Sequence, residues 1–157
     1  MDIIYTICFI KRNRNSIEEY LLLFRNKEPN QHKWNGVGGK IEPGETPLNS
    51  IQREIIEETG LSVTSITAHG VVTWQTGGMY LFTAESNEEV AIDCDEGILE
   101  WKPLEWIMSS SEEEVVSNIL YYLPHLSKDA KQKEYACTYG ENGRLLSVDI
   151  KDLALSY

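Results

Sequence analysis

The sequence is short of several things, and each shortage removes a class of protein. Cysteine is scarce: Cys8, Cys94 and Cys137 are odd in number among 157 residues and show no CxxC spacing. Neither a disulfide framework nor a zinc site is indicated. Cysteines of this kind read as reduced and mostly buried, which suits a cytoplasmic protein. No stretch approaches the ~20 apolar residues of a membrane-spanning helix, so no membrane partner is expected. The stretch MDIIYTICFIKRNRN carries its basic residues after the apolar run and lacks a cleavage site. It reads as a first strand, not a signal peptide. Positive charge is also in short supply, with 14 Lys and Arg against 25 Asp and Glu and a net charge of −11. That balance speaks against binding long nucleic acid, whose phosphates attract basic faces. A small phosphate-bearing ligand stays compatible, because a bound cation inverts the local charge. Repeats, low-complexity tracts and linkers are missing too, and residues 1–157 read as a single domain large enough for a proper core.

What the chain does have is a dense group of carboxylates on one short helix. Thr46 before Pro47 is a start signal, a hydroxyl N-cap followed by proline where its missing N–H costs nothing. Gly60 is the matching stop, suited to a left-handed turn. Between them Leu48, Ile51 and Ile55 follow an i, i+3, i+7 pattern that makes one apolar face. At ~100° per residue, Glu54, Glu57 and Glu58 fall on a neighbouring arc. Like charges at i, i+3 and i, i+4 destabilise a helix by roughly 0.2–0.5 kcal/mol per pair. The negative end of the helix dipole adds to that penalty. Arg53 can reach Glu57 at i+4, but one cation does not neutralise three anions. A solvated acidic face is the bland alternative. The arc borders the apolar stripe, however, and hard carboxylate oxygens suit Mg²⁺ or Mn²⁺, which would turn the repulsion into coordination.

The preceding stretch, GVGGKIEPGET, is rich in glycine, so its backbone can approach a ligand or metal closely. Glycine clusters alone are weak signals. A glycine-rich loop feeding an acidic helix is a stronger one, because a diphosphate carries charge that a divalent cation bridges.

Gly39, five residues, Glu45, seven residues, Arg53-Glu54-Ile55, one residue, Glu57-Glu58, one residue, Gly60-Leu61: in this order the chain resembles the Nudix hydrolase family at every defining position of its box. The resemblance implies an α/β fold, an α/β/α sandwich with a central mixed β-sheet. It also implies hydrolysis of a nucleoside diphosphate linked to another moiety, with Mg²⁺ or Mn²⁺ as cofactor. Carried over, Glu54, Glu57 and Glu58 are the metal ligands, helped by the carbonyl of Gly38. Arg53 orients a glutamate, while Gly39 and Glu45 brace the loop. Glu54 is the first choice of general base, with Glu57, Glu58 and Glu96 as alternatives.

Outside the box, DCDEGILEWKP resembles the Glu-Gly step before a Trp-containing strand in many family members, where the glutamate joins the metal site. Glu96 is the choice, against Asp93, Asp95 and a merely solvated acid. HKWNGVGGK resembles the MutT-type 8-oxo-dGTP and oxidised-purine diphosphatases, in which an asparagine after tryptophan reads the purine edge. That residue is Asn35, whose amide offers a donor and an acceptor; its alternative is a turn residue capping the glycine loop. Thr6 and Arg25 stand where that subgroup contacts base or sugar. A departure follows: the aspartate pair these enzymes place near a tryptophan is replaced by WIMSSSEEEVV, where Trp106 and one of Glu112–Glu114 are substitutes.

The reaction implied is water attack on a nucleoside triphosphate, giving monophosphate and pyrophosphate in nucleotide-pool sanitation. The alternatives are another nucleoside diphosphate derivative (ADP-ribose, a nucleotide sugar or capped RNA) and a non-catalytic nucleotide sensor. The expected partner is a small nucleotide, with the chain itself a monomer or weak homodimer. Along the rest of the chain, strands are expected at Ile3–Ile10, Tyr20–Phe24, Val63–Ala68, Gly70–Trp74, Met79–Thr83 and Leu99–Pro103. A helix is expected over Glu112–Leu123, stopping at Pro124, and a last hairpin around Glu141–Gly143. The four tryptophans read as core or rim aromatics, and His32, His69 and His125 as structural.

Overall fold

A computed structural model of the chain describes residues 2–28, 30–90, 94–127 and 131–153. In chain order it contains β1 (Tyr5–Arg14), β2 (Ile17–Arg25), β3 (Trp34–Asn35), β4 (Val37–Lys40), α1 (Pro47–Thr59), β5 (Thr64–Trp74) and β6 (Gly77–Glu85). Then come β7 (Gly97–Pro103), α2 (Leu104–Met108), α3 (Ile119–Tyr122), a 3₁₀ turn at Leu123–His125, β8 (Lys133–Tyr139) and β9 (Leu145–Asp152).

All nine strands join one mixed sheet, in the order β3-β2-β1-β6-β5-β8-β9, with β4 beside β1 and β7 beside β2. The pairs β1–β6 and β5–β8 are parallel, and the others antiparallel. One edge of β1 is shared between two partners. Its first half pairs with β4, from Tyr5↔Lys40 to Cys8↔Val37, and its second half with β2, from Ile10↔Leu21 to Arg14↔Ile17. This fork brings the glycine-rich backbone of β4 into the middle of the sheet.

Strand alternation divides the core into two layers. Ile7, Phe9, Leu22 and Leu81 face one side, where Ile107, Val115, Ile119 and Tyr122 cover them. Cys8, Ile10, Leu21, Leu23 and Phe82 face the other, where Ile51 and Ile55 of α1 cover them. Helices therefore flank the sheet on both faces, the expected α/β/α arrangement. Burying Ile51 and Ile55 contributes about 1.5–3 kcal/mol each.

The limits of α1 follow from its ends. Thr46 is extended (φ −79°, ψ 161°) and its Oγ1 accepts the Asn49 N–H at 3.1 Å, while Pro47 opens the helix. Gly60 closes it in a left-handed conformation (φ 70°), its N–H donating to the Ile56 carbonyl at 3.0 Å. Leu48 departs from the expected apolar face: it is 41% exposed, so the buried stripe is narrower.

Two further expectations are corrected. Val63–Ala68 and Gly70–Trp74 are one strand, β5, with a register shift between Ala68 and Gly70. Gly70, expected to begin a strand, is a point of close approach inside one: at φ 105°, a Cβ there would lie 1.9 Å from the Lys133 carbonyl oxygen. The helix expected over Glu112–Leu123 is only Ile119–Tyr122. Val115 and Val116 instead line up beside β3, with the Trp34 N–H donating to the Glu114 carbonyl at 2.9 Å and the Val116 N–H to the Trp34 carbonyl at 3.0 Å. Two adjacent β-branched residues next to an open strand edge favour that pairing over a helix. The short strands β3 and β4 and the helix α2 complete the additions.

Cys8 and Cys137 are buried, Cys94 is half-buried, and all three are free thiols. Among the described residues no helix is long and apolar enough to cross a membrane.

Candidate active site

Two glycines set how closely β4 approaches its neighbours. A Cβ on Gly38 would sit 2.1 Å from the Thr6 carbonyl oxygen, and one on Gly39 would sit 2.5 Å from Oε1 of Glu54. Glycine at 38 lets two backbones run side by side. Glycine at 39 leaves room for a carboxylate of α1.

Arg53 organises the acids around it. Its Nε donates to Glu45 Oε2 at 2.7 Å and its Nη2 to Glu45 Oε1 at 2.9 Å. Nη1 donates to Glu54 Oε1 at 3.0 Å and to Glu57 Oε2 at 3.1 Å, and Nη2 also reaches the Lys40 carbonyl at 3.2 Å. Glu45 Oε1 in turn accepts the Glu42 N–H at 2.8 Å, fastening the loop before the helix. The guanidinium, and then the Glu42 N–H, hold the Glu45 carboxyl down at about 2. The surrounding carboxylates raise the Arg53 pKa further above its ordinary value.

Glu58 has a different environment. It is 6% exposed, and its Oε1 accepts the Gly38 N–H at 2.8 Å. Oε2 is buried with no donor. Burial first, and then the Glu96 carboxyl beside it, push the Glu58 carboxyl up to about 9. A bond between those two carboxyls exists only when one holds a proton. The Glu58 proton bonding to Glu96 is also the main reason Glu96 ionises more readily, helped by the charges of Arg25 and Lys27. Glu54 is pushed up mainly by burial, against the opposing pull of Arg53. The acidic helix thus holds its carboxylates with one shared cation on one side and a proton on the other.

Glu96 arrives from a separate segment. Its carbonyl accepts the Asn26 N–H at 2.9 Å, and Lys27 Nζ lies 3.7 Å from its Oε1. Gly97 then enters β7, where a Cβ would lie 1.8 Å from the Phe24 carbonyl oxygen. The Glu-Gly step therefore aims the carboxyl of Glu96 at Glu58 while the backbone turns into the strand. Asp95 lines the same cleft; Asp93 lies outside the described residues.

Together these groups line an open cleft of about 590 Å³. Among the described residues no three His, Cys, Asp or Glu side chains already form a metal cage. The donor set nonetheless fits a hard divalent cation: the acids offer only oxygen, and the buried Glu58 Oε2 receives no hydrogen bond from any donor, its one neighbour being another carboxyl, Glu96.

The remaining sequence-derived residues are placed differently. Thr6 is buried, and its Oγ1 lies 3.4 Å from the Gly39 carbonyl oxygen. Arg25 ends β2 opposite Gly97, near enough for its charge to act on Glu96. Asn35 lies on β3 opposite Leu23 and not in the acid cleft; its Oδ1 accepts the Gly36 N–H at 2.9 Å. Glu112 is 3.4 Å from Arg144, and Glu114 Oε1 caps Ser111 N at 3.0 Å. Trp34 and Trp106 meet edge to face at 6.3 Å. The Lys102 ammonium lies 4.8 Å from the first ring centre and 4.5 Å from the second. Sequence reading missed this grouping, and also Cys94, which lines the acid cleft two residues before Glu96. Nothing in the spacing of Lys102 marks it; Cys94 is signalled only by its nearness to the Glu-Gly step.

Residues 4–124 match the NUDIX domain. The chain belongs to the Nudix family. It is similar to the oxidized purine nucleoside triphosphate hydrolase of Danio rerio, 33% identical over 75 residues, 44% of this chain and 48% of that protein. It is likewise similar to the Mus musculus protein of the same description, 31% identical over 81 residues, 48% and 52% of the two chains. The Nudix chain thus spans about half the length of the curated relatives it matches. A solved structure, the mutator MutT protein from Bacillus halodurans, is 26% identical, with a TM-score of 0.68 over 93% of this chain and 95% of its own. Nudix hydrolases generally use divalent metal ions.

Proposed function

We propose that this Nudix chain hydrolyses a nucleoside triphosphate, an oxidised purine such as 8-oxo-dGTP, to the monophosphate and pyrophosphate, with Mg²⁺ as cofactor. The observation that carries the reading is Glu58, whose buried Oε2 has no donor and whose carboxyl lies beside that of Glu96, in a cleft that Glu54 and Glu57 also line and whose charge a divalent cation would relieve. Glu54, Glu57, Glu58 and Glu96, with the Gly38 carbonyl, would hold the ion. Bound there, Mg²⁺ supplies neutralisation of phosphate charge and acidification of water.

The chain's own residues do the rest. Arg53 fixes Glu54 and Glu57 through one guanidinium nitrogen, so that both carboxylates keep their direction. Glu54 is half-buried and binds a proton more readily than an ordinary glutamate, as suits the base that takes one from the attacking water. Glu45 and Gly39 keep the loop and the space for that carboxylate. Thr6, Arg25 and Asn35 are the proposed contacts to sugar and base. The intact acid set supports an enzyme over a nucleotide sensor.

Replacing Glu57 by Gln tests this reading. It removes one charge while keeping shape, so turnover should fall by at least ~10²-fold, on the scale of losing one charge-stabilising group. Stability without metal should change by only a few tenths of a kcal/mol, since an exposed i, i+4 pair is worth about 0.3–0.5. Near-normal turnover in Glu57→Gln defeats the assignment.

A further inference from the structure

The last strand, β9, is an open edge of the sheet: among the described residues it pairs with β8 and with no other strand. Its first part is irregular, because Thr138↔Ser147 is followed by Tyr139↔Leu145, which leaves Leu146 as an extra residue. From Ser147 to Asp152 the pairing is regular, so this stretch presents a straight row of backbone donors and acceptors at the edge. Ile150, in the middle of it, is 52% exposed. Asp149 and Lys151 flank it and are exposed too. Asp152 is engaged by Lys133 of β8, whereas Asp149 and Lys151 have no ion-pair partner among the described residues.

Charged residues on an edge strand usually keep other strands away. Here they are self-complementary. When a second copy lies antiparallel with the two Ile150 residues opposite each other, Asp149 of each chain faces Lys151 of the other. Opposite charges directly across a strand pair attract, and two exposed isoleucines cover one another between them. The adjacent two-fold registers are penalised, because centring on Asp149 or on Lys151 sets a charge against itself. The charges thus select one register. We propose that β9 is a docking edge for a second copy of this chain, paired antiparallel about Ile150 so that the two sheets continue into one. The contact is short and its ion pairs are exposed, so the dimer is weak and forms only as concentration rises. β9 lies at the end of the sheet away from β2, so the acid cleft stays open in both copies. The inference does not depend on what that cleft does.

The test is sedimentation equilibrium of the full chain over a concentration series reaching the millimolar range, with Asp149→Lys and Lys151→Asp beside the wild type. The wild type should show a monomer–dimer equilibrium. Each single variant sets like charges opposite at both ends of the contact, so its dimer should weaken at least about tenfold. An equimolar mixture of the two variants should dimerise about as well as the wild type, because every facing pair is then opposite in sign again. Circular dichroism and thermal melting identify a variant that does not fold. Ile150→Lys, which sets a cation against itself at the two-fold, then takes its place and should be monomeric. A wild type that stays monomeric throughout overturns the proposal. So does a dimer that the folded variants leave intact, since the interface is then elsewhere. A mixture that dimerises no better than its two components overturns it as well.

Discussion

Arg53 grips Glu45 with a two-pronged contact, Nε to Oε2 at 2.7 Å and Nη2 to Oε1 at 2.9 Å, while its third nitrogen holds Glu54 and Glu57. A planar guanidinium can serve three carboxylates at fixed angles; an ammonium presents a point charge without that geometry. Arg53→Lys keeps the charge and loses the fork. Mg²⁺ affinity or turnover should fall roughly 10–100-fold, the usual cost of loosening groups that orient metal ligands. Metal titration and steady-state kinetics on the same preparation check it. A variant with wild-type values leaves the charge of Arg53, and not its shape, as what matters.

Glu58 makes the metal-free protein pH-sensitive in an unusual direction. Its folded pKa is raised from the ordinary 4.5 to about 9, so the folded state binds the extra proton between those values. That contribution to stability is complete below about pH 4.5 and is lost as pH rises toward 9. In EDTA, the Tm of the wild type relative to Glu58→Gln should therefore fall between pH 5 and pH 9. Mg²⁺ takes the ionised form, so its binding should release protons near neutral pH, read as a dependence of calorimetric heat on buffer ionisation. A wild-type to variant difference that is flat with pH contradicts the shared proton.

The two glycines of β4 should fail in different ways when each is given a methyl group. In Gly38→Ala the new Cβ meets backbone, 2.1 Å from the Thr6 oxygen, so the sheet must move. Stability should drop by at least ~2 kcal/mol, as for other forced backbone shifts. In Gly39→Ala it meets the end of a side chain, Glu54 Oε1 at 2.5 Å, which can rotate away. There the fold should survive and Mg²⁺ affinity should suffer. Denaturation curves in EDTA, paired with metal titrations, separate the two; equal destabilisation by both contradicts the assignment of Gly39 to Glu54.

Much of this acid cluster is legible in the residue order alone. Thr46, Pro47 and Gly60 bound α1 because capping is a local matter, settled by residues within a turn of one another. The order of glycine, glutamates and arginine from Gly39 to Leu61 placed the acid cluster for the same reason. Glu96 was harder, since its approach to Glu58 depends on how Gly97 seats β7 against Phe24, a contact between segments far apart in sequence. Glu112–Leu123 misled because Val115, Val116 and Ile119 have helical spacing, while the partner that draws the valines straight, Trp34, lies some eighty residues away. The hydrogen bond from the Gly36 N–H to Asn35 Oδ1 is likewise invisible in the residue order, although it takes up the amide oxygen.

That bond sharpens the expectation for the base. Oδ1 already accepts from Gly36, so the Asn35 NH₂ donor is the group to test against a purine. Asn35→Asp preserves the acceptor for Gly36 and removes the donor, so stability should hold. Selectivity for 8-oxo-dGTP over dGTP and dATP should shrink by roughly 1–3 kcal/mol in kcat/KM, the scale of an unpaired buried group. Unchanged selectivity in Asn35→Asp makes this residue a support of the turn, with the base read elsewhere, and the Lys102–Trp34–Trp106 group becomes the next place to look.

The central claim, metal-dependent cleavage of an oxidised purine triphosphate, is most directly tested by offering the chain a panel of nucleotides with Mg²⁺. The panel should hold 8-oxo-dGTP, the ordinary dNTPs, ADP-ribose, a nucleotide sugar and a capped RNA, with monophosphate, pyrophosphate and inorganic phosphate all quantified. The account predicts the highest kcat/KM on 8-oxo-dGTP, monophosphate and pyrophosphate formed in equal amounts, and no turnover in EDTA. Turnover that persists in EDTA, or inorganic phosphate as the primary product, or a preference for a substrate other than an oxidised purine triphosphate, contradicts it.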